Sequence, residues 1–212
     1  MSTDSGRSCF AGAALGFSEL TGQVRPGDWK RPALGDWDVR ALTGHASRAL
    51  STIESYLGRS GQDGILDGPV AYFLAALSGE TDPEQRRRRD IAIAERGREA
   101  GAALGDEPAT YVAALARRVR ALVDHSADDA PVATPSGTMT LAGYLPTRTF
   151  ELAVHSLDLT RALRLDIPDA LRPAIAASCE LAGRLAGQLP TAPELLLLLT
   201  GRHGLPENLT VL

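Results

Sequence analysis

The chain has 212 residues, 44% hydrophobic and 23% charged, which is long and apolar enough to bury a core without staples. Its 22 Lys and Arg nearly balance 26 Asp and Glu, for a formal net charge of -4, so no broad electrostatic case for nucleic acid binding exists. Only 5% is aromatic and Ala, Leu and Arg are abundant, a mix that favours helices over sheets. No apolar run reaches the length of a membrane span, the LLLLL at 195–199 being too short. Cys9 and Cys179 form no CxxC pair, which argues against a disulfide framework or a cysteine zinc site and suits a reducing cytoplasm.

Residues from about 4 to 21 read as a first helix rather than a signal peptide, with Phe10, Ala14, Phe17 and Leu20 or Thr21 at three-or-four spacing. A loop rich in Pro, Gly and Trp follows, RPGDWKRPALGDW at 25–37, in which Trp29 and Trp37 are apolar anchors or a pocket wall. Asp38 is placed to cap the next helix, 38–58. There Leu42, Ala46, Ala49, Ile53 and Leu57 make one apolar stripe, and His45 adjoins it.

GRSGQDGILDGP reads as loop, and a short helix is expected around 69–78. Asp82-Pro83-Glu84-Gln85 starts a helix running to about Leu104, with a cap, a first-position Pro and a third-position Gln. The RRRR at 86–89 is surrounded by acids and reads as a solvated face. TYVAALARRVRALV makes a helix to about 124, with His125 at its C-terminal end, where a cation suits the dipole. SADDAPVATPSG reads as a long polar turn. A key helix covers about 140–163, another 168–187, and ELLLLL is a last short helix before a tail with one possible strand, LTVL. The fold class is all-α, most simply a four-helix bundle with additional short helices. Cys179, in AIAASCELAG, reads as a small core residue.

The helix at 140–163 carries two stripes. Leu141, Leu145, Leu152, Leu159 and Leu163 form the core face. Beside it run Tyr144, Arg148, Glu151, His155 and Asp158, whose spacing stacks them over one another. Glu151 and His155, at i and i+4, can reach one metal ion, though the pair alone reads equally as an intrahelical hydrogen bond on a wet face. A lone His beside an apolar stripe is more often a core residue than a ligand, but His45, inward on a separate long helix, matches a pair that lacks a third donor. Two His and one carboxylate leave metal positions open, as catalytic sites do.

Three segments, WDVRALTGH (37–45), TPSGTMTLAGYL (134–145) and RTFELAVHSLDLTRAL (148–163), resemble the mycothiol-dependent maleylpyruvate isomerase family, part of the wider DinB-like metalloprotein group. The resemblance runs over roughly residues 5–165. It implies that His45, Glu151 and His155 match the family's zinc ligands and that residues 1–165 fold as a DinB-like four-helix bundle, with 166–212 as a helical extension. It also implies mycothiol as thiol cofactor and an actinobacterial cytoplasm. The isomerase itself carries a sizeable α/β C-terminal domain where 166–212 read here as mostly helical, so an electrophile other than maleylpyruvate is expected.

The function expected is that of a metal-dependent thiol enzyme. A divalent metal, expected to be Zn2+, activates a low-molecular-weight thiol for attack on a small-molecule electrophile. Arg148 either neutralises an acidic substrate or pairs with Glu151. Asp158 either orients the second ring nitrogen of His155 or is a plain acid. Tyr144 and Arg202 are the expected contacts to the thiol, Arg202 only if the tail folds over the site. The other reading is a non-catalytic metal-binding, sensing or partner module. The ELLLLL segment would suit a homodimer, with a monomer the alternative.

Overall fold

The computed structural model describes residues 3–59, 61, 64–77 and 82–202. LTVL and His203 lie outside them. The described residues form eight α-helices and two short antiparallel ribbons, an all-α architecture with minor strands. No helix among them is long and apolar enough to cross a membrane.

Four helices enclose the main core. They are α1 (Thr3–Gly22), α2 (Val39–Tyr56), α5 (Pro108–Asp124) and α6 (Leu141–Leu163). α1 packs on α5 and α6, and α2 completes the ring against the same two. The inward side chains follow helical periodicity: Phe10, Ala14 and Phe17 on α1, Leu42, Ala46, Ala49 and Ile53 on α2, Val112, Leu115, Val119 and Val123 on α5, and the expected Leu stripe of α6. Burying each of the larger ones contributes about 1.5–3 kcal/mol. Asp38 caps α2 by accepting from the Ala41 amide at 2.8 Å, and Thr140 caps α6 by accepting from Gly143 at 3.1 Å, so both site-bearing helices start where a short polar side chain satisfies free amides.

The other helices pack around this ring. α4 (Pro83–Ala102) begins at the Asp82 cap and is rich in charge, fully burying only Gly97 and Gly101 while Ile93 packs on the core. It lies against α2 with nearly no side chain between them: a Cβ on Gly44 would sit 2.1 Å from the Gly101 amide nitrogen. In the run 86–89, Arg86, Arg87 and Arg88 are exposed and Arg89 is half-buried, Arg88 pairing with Glu84. α3 (Gly68–Leu77) and α7 (Arg172–Ala186) cover α6 through a second small core of Phe73, Phe150, Leu181 and Leu185. α8 (Ala192–Leu199) buries none of its residues.

Three features differ from the sequence reading. The polar turn after α5 contains a hairpin, β3 (Pro131–Thr134) and β4 (Gly137–Thr140), closed by Pro135-Ser136. Its β-branched residues alternate over too few positions to outweigh the polar residues around them. The loop at 25–37 likewise holds a 3-10 turn, Pro26–Lys30, and a ribbon of β1 (Pro32–Leu34) with β2 (Trp37–Asp38). Cys179 is exposed rather than core, because Ala174, Ser178, Leu181 and Leu185 take the inner face of α7.

Candidate metal centre

α2 and α6 bring His45, Glu151 and His155 together, with one donor atom from each lying within 4.8 Å of the other two. The two imidazoles meet edge to face, centroids 4.8 Å apart. Glu151 and His155 share a face because they are one turn apart, and Glu151 Oε2 stands 3.4 Å from His155 Nε2. His155 Nδ1 stands 3.2 Å from Asp158 Oδ2, so a carboxylate occupies the ring nitrogen that faces away from the cluster.

His45 is arranged differently. Its Nδ1 is buried and has no hydrogen-bond partner. Its ring instead stacks on Trp37, centroids 4.5 Å apart and planes tilted by 35°. Burial, aided by the His155 charge, lowers its pKa to about 4, so at neutral pH it keeps a free lone pair. His155 goes the other way. Burial alone would lower it, but hydrogen bonds to Asp158 and Glu151 outweigh that and raise it to about 9. Burial would also raise Glu151, yet the bond to His155 and the nearby Arg148 charge hold it below the usual carboxylate range.

The residues fit a divalent ion. Two imidazoles and one carboxylate, one donor atom from each within 4.8 Å of the others, are a donor set that divalent transition ions take with positions left open. The same cluster without an ion is held by the Glu151–His155–Asp158 chain, with a proton on His155 between two acids.

A cavity of about 250 Å³ adjoins the cluster, and His45 and Glu151 form part of its wall. Arg148, buried to 7% exposure, projects into it. Its guanidinium lies over the rings of Tyr144 and Tyr72, 4.7 and 5.4 Å from their centroids. It donates to the Tyr72 hydroxyl at 3.2 Å and the Thr147 hydroxyl at 3.0 Å. Among the described residues no carboxylate lies within ion-pair distance of it, so the pairing with Glu151 is not made. Arg48 and Arg96 line the same cavity, and among the described residues neither is ion-paired. Tyr144 is fully buried and donates to Thr52 at 3.1 Å. Burial raises its pKa to about 12, so it stays a neutral phenol. Arg202 is exposed, donates to the Thr200 carbonyl and does not line this cavity.

A larger cleft of about 710 Å³ opens between residues 65–68, β4 and the start of α6. It holds Asp67 and Asp129 but no imidazole or guanidinium, whereas His45, Glu151 and three arginines line the smaller cavity. His125 caps α5, its Nδ1 2.7 Å from the Ala121 carbonyl.

Sequence reading missed Arg48, Thr52 and Tyr56 of the cavity wall, although they follow His45 on one face of α2 at spacings of three and four. It also missed Tyr72, Arg96 and Ser136, which come from α3, α4 and the hairpin turn and are adjacent only in the fold.

The model of the family described as mycothiol maleylpyruvate isomerase N-terminal domain matches residues 11–160. No curated protein and no solved structure matches the chain.

Proposed function

The chain belongs to the mycothiol maleylpyruvate isomerase N-terminal domain family, and on that premise we propose that it is a metal-dependent thiol enzyme of the cytoplasm, a mycothiol transferase or isomerase acting on a small electrophile. The observation that carries this reading is the convergence of His45, Glu151 and His155 beside an arginine-lined cavity. Those three residues would hold a divalent ion, with zinc the best match to two imidazoles and one carboxylate. When bound, the ion supplies Lewis acidity that keeps a thiol as thiolate at neutral pH.

The remaining residues have distinct tasks. Asp158 accepts the Nδ1 proton of His155 and turns the other nitrogen toward the cluster. Arg148, rigid between two tyrosine rings, presents a charge that needs no reorganisation when an anion arrives. Arg48 and Arg96 extend that field toward the exposed rim. Three cations facing one carboxylate favour an electrophile that is itself negatively charged. Tyr144 serves by holding Arg148, and contact with the thiol is left to the open side of the cavity. Arg202 is set apart from the cavity and is given no task. The described residues after 165 are read as an extension of the bundle, a reading supported by the packing of α7 on α1 and α6.

The test is adduct formation between mycothiol and a panel of electrophiles, with and without zinc. We expect a rate above that of the free thiol, flat with pH well below the thiol's own pKa. An anionic electrophile should be preferred over its methyl ester. Stabilisation by metal with no effect of thiol would favour the binding-module reading. A rate that follows the free thiolate fraction and ignores metal removal would sink the mechanism.

A further inference from the structure

His155 has a carboxylate to hold its ring, and His45 has nothing of the kind. A metal-ligating histidine is normally aimed by a hydrogen bond from its second nitrogen. Among the described residues no group hydrogen-bonds His45, and its Nδ1 is buried. Its orientation must come from packing.

Trp37 supplies the packing. The indole is 8% exposed and stacks on the His45 ring at 4.5 Å. It is itself fixed twice. Its Nε1–H donates to the Ala94 carbonyl of α4 at 2.9 Å, and its six-membered ring rests in the notch left by Gly97, where a Cβ would come within 2.6 Å of two ring carbons. α4 is held to α2 one residue before His45, at the Gly44–Gly101 approach. A chain of contacts therefore runs from the α4 backbone through the indole to the imidazole. Building on the metal reading above, we propose that Trp37, seated in the Gly97 notch of α4, is the positioning residue for His45, replacing by aromatic stacking the hydrogen bond that aims His155.

The stacked ring can turn about its contact with the indole far less than an unsupported one, and no competing acceptor pulls it away. Phe at position 37 keeps a stacking face but loses the bond to Ala94. Leu keeps apolar volume without a planar face. Gly97→Ala leaves both rings in place chemically and pushes the indole out of its seat.

The experiment measures zinc affinity of the full chain by competition with a chromophoric chelator, for wild type, Trp37→Phe, Trp37→Leu and Gly97→Ala. Val123→Ala, a core truncation on α5, serves as the control for general loss of stability. Trp37→Leu and Gly97→Ala should each weaken binding about 10–100-fold, the usual cost of losing a ligand's orienting partner. Trp37→Phe should recover most of it. Val123→Ala should lower the melting temperature with unchanged affinity. In a Trp29→Phe background, where Trp37 is the one remaining indole, zinc should change the tryptophan emission. Wild-type affinity in Trp37→Leu, or equal losses in Trp37→Leu and Val123→Ala, overturns the positioning role and leaves the metal site standing. A wild-type chain that binds no divalent ion overturns both.

Discussion

The two halves of the candidate metal centre are built on opposite principles. On α6 the donors are wired together: Glu151, His155 and Asp158 form one chain of charged hydrogen bonds along a single helix face. On α2 the donor is walled in: His45 is neutral, without a hydrogen bond, and clamped by an indole from the preceding ribbon. The wired half is local, since helical spacing alone puts its members in reach. The walled half depends on α4, whose bond from Trp37 to Ala94 spans 57 residues of sequence, a contact made by tertiary packing rather than periodicity. A site can thus combine one ligand set by secondary structure with another set by the core.

Removing a donor breaks either half outright. His45→Ala, Glu151→Ala and His155→Ala should each lose nearly all bound zinc by elemental analysis, with helix content unchanged by circular dichroism, because the bundle has its own core. Retention of metal by all three would place the site elsewhere. A smaller effect is expected from Asp158→Asn, which leaves the donors but weakens the wire. Zinc affinity should fall about 10–100-fold, while the Trp37–His45 stack, followed by emission, stays as it is.

The pH dependence of the metal-free protein separates the halves further. His155 holds its proton up to about 9 in the folded chain, against 6.5 when unfolded, so its contribution is complete below 6.5 and is lost as pH rises through 9. His45 stays neutral down to about 4. Between 6.5 and 4 the unfolded chain takes up a proton that the folded one does not, so stability falls toward acid. Urea midpoints should therefore peak near pH 6.5, and Asp158→Asn should flatten the alkaline limb while leaving the acid limb alone. An alkaline limb that survives Asp158→Asn and Glu151→Gln together would mean that another group carries it. Smallest of all should be Arg118→Ala, which removes an exposed ion pair to Glu54 on the far side of α2. It should cost less than about 1 kcal/mol in urea unfolding and change neither half.

What could be read from sequence follows the same division. Glu151, His155 and Asp158 stand out on a helical wheel, and so do Tyr144 and Arg148, because one helix carries them all. His45 is legible as an inward histidine on a second helix that completes the pair, and the family resemblance implies the same set. Arg48 and Thr52 lie on the same wheel but do not stand out on it, since a polar residue beside a core stripe on α2 looks like an ordinary helix edge. Arg96 is not legible: it sits on a charge-rich helix, and the docking of α4 on α2 through Gly101, Gly97 and Ala94 brings it to the cavity. The hairpin at 131–140 was hidden by its shortness. Cys179 was misread because AIAASCELAG is small throughout, and a uniform run does not say which residue faces in.

The Gly44–Gly101 approach also makes a statement about ancestry. A single added methyl on either residue would meet main-chain atoms, 2.1 Å from Gly101 N in one case and 2.8 Å from the Arg40 carbonyl in the other, and backbone cannot step aside as a side chain can. Descendants of a common ancestor that keep this centre are therefore expected to drift almost freely along the polar surface of α4 yet keep glycine at both positions. Lineages in which either glycine has been replaced should show a compensating loss, of the tryptophan or of the α2 histidine, so that the pair of glycines becomes a marker for which relatives still share the chemistry.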